Sequence, residues 1–214
     1  AEAHNNLGIT LHELVRLDEA EACFRQAIKL KPEYAQAHGN LANALKGLGR
    51  QNEAEVSYRR VTLLKPDSAQ AHSNLGLTLK EIGKFTEAEK SFSKAIALQP
   101  DYAEAHNNLG VTFRELGRAD KAEASFKQAI ALKSDFSEAF GNLGNILQEA
   151  GRLEEAEDLL KQAIALKPDY CEGLYSLSVA LSYMNNLAAE IVSLRDILHI
   201  ASGDLVLRAR VHLA

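Results

Sequence analysis

Four histidines, His4, His38, His72 and His106, recur at 34-residue intervals, and imidazole is a common metal ligand. A shared ion needs nitrogens about 2 Å away. Equivalent residues on packed helices lie roughly 8–10 Å apart, which is too far. The row is therefore read as partly buried spacers, and no metal or other cofactor is expected. HELVR at 12–16 opens like a zinc-protease helix, but Arg16 stands where the second histidine is needed. GLGR at 47–50 resembles part of a phosphate loop, yet no strand precedes it. Cys23 and Cys171 make no CxxC pair and read as small apolar side chains. No serine or cysteine has an identifiable histidine and acid to work with, so no catalytic residue is assigned and no enzyme activity is expected.

A second row differs in kind. Asn6, Asn40, Asn74, Asn108 and Asn142 follow the same interval without a break, although asparagine is a mediocre helix former. Each amide offers one acceptor and two donors, enough to grip both N–H and C=O of an extended peptide backbone. The alternative is that these amides bond within the scaffold and tie neighbouring units together.

The same interval organises the elements that must position these side chains. AEAHNNLG at 1–8 returns unchanged at 103–110, with variants at 35–42, 69–76 and 137–144. Within a 34-residue unit, apolar residues at positions 3, 7, 11 and 14 mark one face of a first helix. Positions 20, 24, 27 and 28 mark a second. Gly49, Gly83, Gly117 and Gly151, at position 15, suit the left-handed conformation that ends the first helix. Asp18 with Glu21, Thr86 with Glu89, and Asp120 with Glu123 read as capping boxes opening the second, with Asn52 and Glu55 an imperfect one. Pro32, Pro66, Pro100 and Pro168 are expected to stop it. Small residues at positions 8 and 20 let the two helices approach closely. A hairpin of this size cannot bury its own apolar face, so the units must stack.

A 34-residue unit with Leu-Gly at 7–8, Ala at 20, Phe or Tyr at 24, Ala at 27 and Pro at 32 resembles the tetratricopeptide repeat. The departures are His for Trp at position 4 and mostly Leu for Tyr at position 11. The resemblance implies an all-α fold, a right-handed superhelical solenoid of antiparallel helix pairs. Five repeats span 1–34, 35–68, 69–102, 103–136 and 137–170. Residues 171–204 read as a degenerate sixth, with Ser176, Ser178, Glu190 and Ser202 at the signature positions, and 205–214 as the start of a further helix.

The resemblance also implies that the first helices line a concave groove. AHSNLG at 71–76 is similar to the repeats of O-linked N-acetylglucosamine transferase, where an asparagine ladder holds peptides. On that footing the peptide-binding set is Asn6, Asn40, Asn74, Asn108 and Asn142, joined by Asn43 and Asn145 at position 9 and by Lys46, Lys80 and Arg114 at position 12. Against this, position 12 with the acids Glu13, Glu81, Glu115 and Glu149 at position 13 also fits a solvated face of alternating charge. Chaperone-binding members clamp a terminal carboxylate with Lys at positions 2 and 5 and Arg at 6. Here Glu or Gln, then Asn, Gly or Ser, then Asn stand at those positions, so that clamp is absent.

Composition narrows the rest. The net charge of −5 is mild and interspersed, with no basic block to suggest nucleic acid. No apolar run approaches the length, about 18 residues, that spans a bilayer, so no membrane insertion is expected. The chain starts in register with a repeat and without Met, and is read as an excised fragment. The expected function is a non-catalytic protein–protein interaction scaffold that binds an extended peptide or protein segment. Two other readings stay open: the recruiting arm of a larger transferase, and end-to-end self-association of copies. The compartment is open, with the cytoplasm favoured.

Overall fold

The computed structural model describes residues 1–184. Among them are eleven α-helices and no strand: α1 (Glu2–Glu13), α2 (Leu17–Leu30), α3 (Ala35–Gly47), α4 (Gln51–Leu64), α5 (Ala69–Glu81), α6 (Phe85–Leu98), α7 (Ala103–Glu115), α8 (Ala119–Leu132), α9 (Ser137–Glu149), α10 (Leu153–Leu166) and α11 (Cys171–Tyr183). The chain divides into one compact unit, Ala1–Ala105, and a second from His106 onward. In the first, α1 packs on α2, α3 on α4 and α5 on α6, with α2 also against α3 and α4 against α5. In the second, α9 packs on both α8 and α10, and α10 on α11. Of the degenerate sixth repeat only α11 falls within the described residues. Glu190, Ser202 and 205–214 lie outside them.

The turn between the helices of each hairpin follows from position 15. Gly49, Gly83, Gly117 and Gly151 have φ of 73°, 76°, 69° and 76°. At each site the next residue's N–H reaches back five residues, as in Arg50 N to Leu45 O at 2.8 Å and Arg152 N to Leu147 O at 2.8 Å. That bond satisfies a carbonyl the helix end would leave orphaned. The first repeat makes the same turn with Val15 at φ 59°, a conformation a β-branched residue rarely adopts.

Close helix approach has a measurable cause. Ala20, Ala54, Ala88, Ala122 and Ala156 are completely buried. A Cβ added at Gly8, Gly76 or Gly110 would sit 2.6, 2.8 or 2.6 Å from the ring of Phe24, Phe92 or Phe126, all buried. The second repeat departs as a pair, with Ala42 at position 8 and Tyr58 at position 24.

Two details differ from expectation. The capping boxes do not form: α2, α4, α6, α8 and α10 take Arg16, Arg50, Lys84, Arg118 and Arg152 as N-caps, with no side-chain cap bond. The left-handed residue turns the chain so early that the position-16 carbonyl already accepts the first helical bond, as in Ala20 N to Arg16 O at 3.0 Å. Asp18 and Asp120 therefore lie inside the first turn, where a negative charge complements the helix dipole instead of capping it. The proline is also not what ends the second helix. With Ser134 at that position, α8 still stops at Leu132 with an extended Lys133 after it.

The glutamates freed from capping serve the stacking. Glu21 pairs with Arg50 at 2.6 Å, Glu55 with Lys84 at 2.8 Å, and Glu123 with Arg152 at 3.0 Å. Each joins position 21 of one repeat to position 16 of the next. Arg50 and Arg152 also bind Glu53 and Glu155 on their own helices, both at 2.6 Å. Networks with low-exposure carboxylates contribute more than the isolated surface pair, which is worth about 0–1 kcal/mol.

Candidate functional site

In the first unit the position-6 asparagines sit on the first helix of each hairpin. Asn6 is exposed, while Asn40 and Asn74 are half-buried. The Asn40 side chain donates from Nδ2 to Oδ1 of Asn5 at 2.9 Å, crossing from the second repeat to the first. Asn5 is fully buried, and its own Nδ2 has no protein partner. Asn74 instead accepts at Oδ1 from Gln70 Nε2 at 2.8 Å, and Gln70 Oε1 accepts from the Tyr102 hydroxyl at 2.9 Å.

Asn40, Asn43 and Asn74 come together along one open groove of about 280 Å³ between α3 and α5. Tyr58 forms its floor and donates its hydroxyl to Asn43 Oδ1. Burial, with a smaller contribution from the Glu81 carboxylate, pushes the Tyr58 hydroxyl up to about 12, so it stays a proton donor at neutral pH. Lys46 holds Glu81 in turn at 2.8 Å.

The second unit repeats part of this. Asn142 donates from Nδ2 to Asn107 Oδ1 at 3.0 Å, the same relation between positions 6 and 5 of successive repeats. Asn108 is half-buried on α7. Arg114 and Asn145 line a groove of about 220 Å³ with Gln148 and Tyr175. Arg114 also meets Glu115 at 3.5 Å. Lys80 is half-buried on α5 and, like Asn6, does not line either groove.

Two of the position-4 histidines serve the scaffold. His38 Nε2 and His72 Nε2 lie 2.9 Å from the carbonyls of Pro32 and Pro66, which anchors each new repeat to the proline turn before it. Among the described residues no cluster of three or more His, Cys, Asp or Glu could hold a metal. No described helix is long and apolar enough to cross a membrane.

Sequence reasoning misses three contributors to this geometry. Position 5 reads as variable, yet Asn5 and Asn107 orient the neighbouring ladder amides. A signal exists, since these are the two Asn-Asn pairs of the duplicated AEAHNNLG. Tyr58 reads as one more large apolar residue. The third is the clasp at positions 16 and 21, readable from an unbroken Arg/Lys row facing an unbroken Glu row.

Comparison with known proteins adds the family. Models of the tetratricopeptide repeat match residues 1–34, 23–56, 67–135 and 113–178, leaving out only 57–66 and the residues after 178. The structure of PilW, a widely conserved type IV pilus biogenesis factor, superposes with a TM-score of 0.86 at 22% identity, covering 100% of this chain and 98% of that one. A thermophilic tetratricopeptide-repeat protein of Thermus thermophilus gives 0.64 at 28% identity, covering 84% and 98%. YrrB, a tetratricopeptide-repeat protein with an unusual peptide-binding site, gives 0.64 at 23% identity, covering 87% and 97%. No curated protein matches the sequence.

Proposed function

The chain belongs to the tetratricopeptide-repeat family, and from that premise we propose that it is a non-catalytic interaction scaffold whose asparagine-lined grooves hold an extended peptide segment by its backbone. The fold implies protein–protein interaction, and a peptide-binding site in YrrB fits the same use of the repeat. One observation carries the reading. Asn40, Asn43 and Asn74 converge on an open groove although helix propensity favours none of them there.

The amides are partly committed already. Asn40 and Asn142 each spend one N–H on the scaffold, keeping Oδ1 and one N–H for a ligand. A net of about 1 kcal/mol per remaining bond competes with an association cost of about 4–15 kcal/mol. The ladder therefore gives weak binding that tolerates sequence, and selectivity must come from side-chain contacts. The test is calorimetry of an extended peptide against the wild type and the Asn40→Ala/Asn74→Ala double variant. The expected loss is about 2–3 kcal/mol, similar for peptides of different sequence. Unchanged affinity would refute the ladder.

A second reading, stacking between copies, rests on the first repeat. Leu7 is 52% exposed where its counterpart Leu41 is 5%, since among the described residues α1 packs only on α2 and α3. Light scattering over a concentration series tests it, and a constant monomer mass would exclude it.

A further inference from the structure

The second helices form a groove of their own, and no asparagine lines it. α2 and α4 both pack on α3. The space left between them is about 500 Å³, with the buried Leu41 of α3 at its floor and Ile28 and Val56 beside it. Arg25, Lys29 and Arg60 also line it, and no Asp or Glu does. Arg25 is held by Glu21 at 2.8 Å and by Glu53 at 3.3 Å, whereas Lys29 and Arg60 are in no ion pair among the described residues. The remaining lining side chains are Ser57, which is buried, and His38, whose Nε2 lies 2.9 Å from the Pro32 carbonyl.

Val56, Arg60 and Leu63 stand at i, i+4 and i+7 on α4 and therefore share one face. Val56 is 69% exposed and Leu63 72%. Stacking of the repeats does not call for them, since the other full repeats carry Ala, Lys or Asp at position 22 and Lys or Ala at position 29. Two large exposed apolar side chains flanking an unpaired cation are thus particular to the second repeat. Contiguous exposed apolar surface of this kind belongs to interaction sites.

We propose that the α2–α4 groove docks an acidic amphipathic helix of a partner protein. Its apolar side chains seat against Ile28, Leu41, Val56 and Leu63, and its carboxylates meet Lys29 and Arg60. Charge complementarity selects the acidic partner. The helical form follows from the backbone: α2 and α4 use their own N–H and C=O groups internally, and the groove has no side-chain amide. An extended segment laid there would bury backbone groups without partners, whereas a helix satisfies its own. This surface is separate from the asparagine-lined grooves, and neither reading depends on the other.

The experiment is an NMR titration of the full chain with acetyl-Ser-Ala-Glu-Leu-Glu-Glu-Leu-Leu-Ala-Glu-Leu-Glu-Ala-Ala-Ala-amide, whose leucines fall on one helical face. One comparator has Lys for every Glu, and the other has Ala for every Leu. The acidic peptide is expected to bind about tenfold more tightly than either comparator and to move the methyl signals of Ile28, Val56 and Leu63. Val56→Ala/Leu63→Ala installs the residues of the fourth repeat, and Lys29→Gln/Arg60→Gln removes the two cations. Each double variant should keep its helical circular dichroism and weaken binding about fivefold or more. Lys94→Gln, removing an exposed charge on α6, should leave affinity unchanged.

Equal affinity for the three peptides overturns the docking site, as does affinity that survives in both double variants. Shifts confined to the Asn40 and Asn74 side-chain signals would place the peptide in the asparagine groove and overturn it too. Sedimentation of the chain with phosphatidylglycerol vesicles, without any response to the peptides, would assign the patch to an anionic membrane instead. No shift with any peptide at millimolar concentration overturns the site and leaves the asparagine ladder untouched.

Discussion

The side-chain amide of Asn142 donates to Asn107 Oδ1 at 3.0 Å, joining two asparagines that lie 35 residues apart in sequence. Asn107 is 9% exposed, so water replaces that bond poorly. Asn142→Ala is expected to lower stability by about 1 kcal/mol, despite alanine's better helix propensity. Asn74, bonded only to Gln70 on its own helix, should tolerate alanine with little change. A double-mutant cycle on Asn107 and Asn142, followed by urea unfolding, should return a coupling of about 0.5–1.5 kcal/mol. Zero coupling would show that the bond does not hold in solution.

Two glycines should respond to alanine with opposite signs. A Cβ at Gly110 meets the buried Phe126 ring at 2.6 Å, and overpacking of this kind costs about 1–3 kcal/mol. At Gly39 the nearest atom is 3.9 Å away, so Gly39→Ala should stabilise α3 by up to about 1 kcal/mol. Thermal unfolding of the two variants compares them directly. A gain at Gly110 would mean that the helices part without cost.

Val15 is the natural variant of a glycine position. Its φ of 59° is costly for a β-branched side chain, and it packs little, being 77% exposed. Val15→Gly should stabilise the first hairpin, the roughly 1–2 kcal/mol of left-handed strain being offset in part by glycine's greater freedom when unfolded. Slower hydrogen exchange along α1 and α2 is the expected readout. Faster exchange would place the strain elsewhere.

Acid should loosen the clasps. The Lys127 ammonium, aided by Arg152, holds the Glu123 carboxyl below the ordinary glutamate value of 4.5. A depressed folded-state pKa contributes stability above 4.5, and that contribution fades as pH falls through the lower folded value. Glu123→Gln should therefore unfold more readily than wild type at pH 7, with the difference shrinking toward pH 3. Urea midpoints at the two pH values check this. A difference that grows on acidification would reverse the assigned sign.

What the sequence determined by itself was the hairpin plan encoded within one repeat. The 34-residue period, the two helices, the left-handed turn at Gly49 and its equivalents, and the small residue beneath Phe92 all follow from backbone preference and side-chain volume over a few neighbouring positions. The asparagine row was equally legible as a row. Its orientation was not. Whether Asn40 turns its Nδ2 toward Asn5, or Asn43 its Oδ1 toward Tyr58, depends on partners 35 and 15 residues away. Glu21 shows the same limit from the other side, since its spacing to Asp18 is that of a capping box, and only the stacked next repeat brings Arg50 within 2.6 Å. Local spacing fixes which groups are present on a face. Packing between repeats decides which donor meets which acceptor, because a long side chain on a helix can reach either its own turn or the neighbouring hairpin, and the better-satisfied, less solvated arrangement is the one adopted.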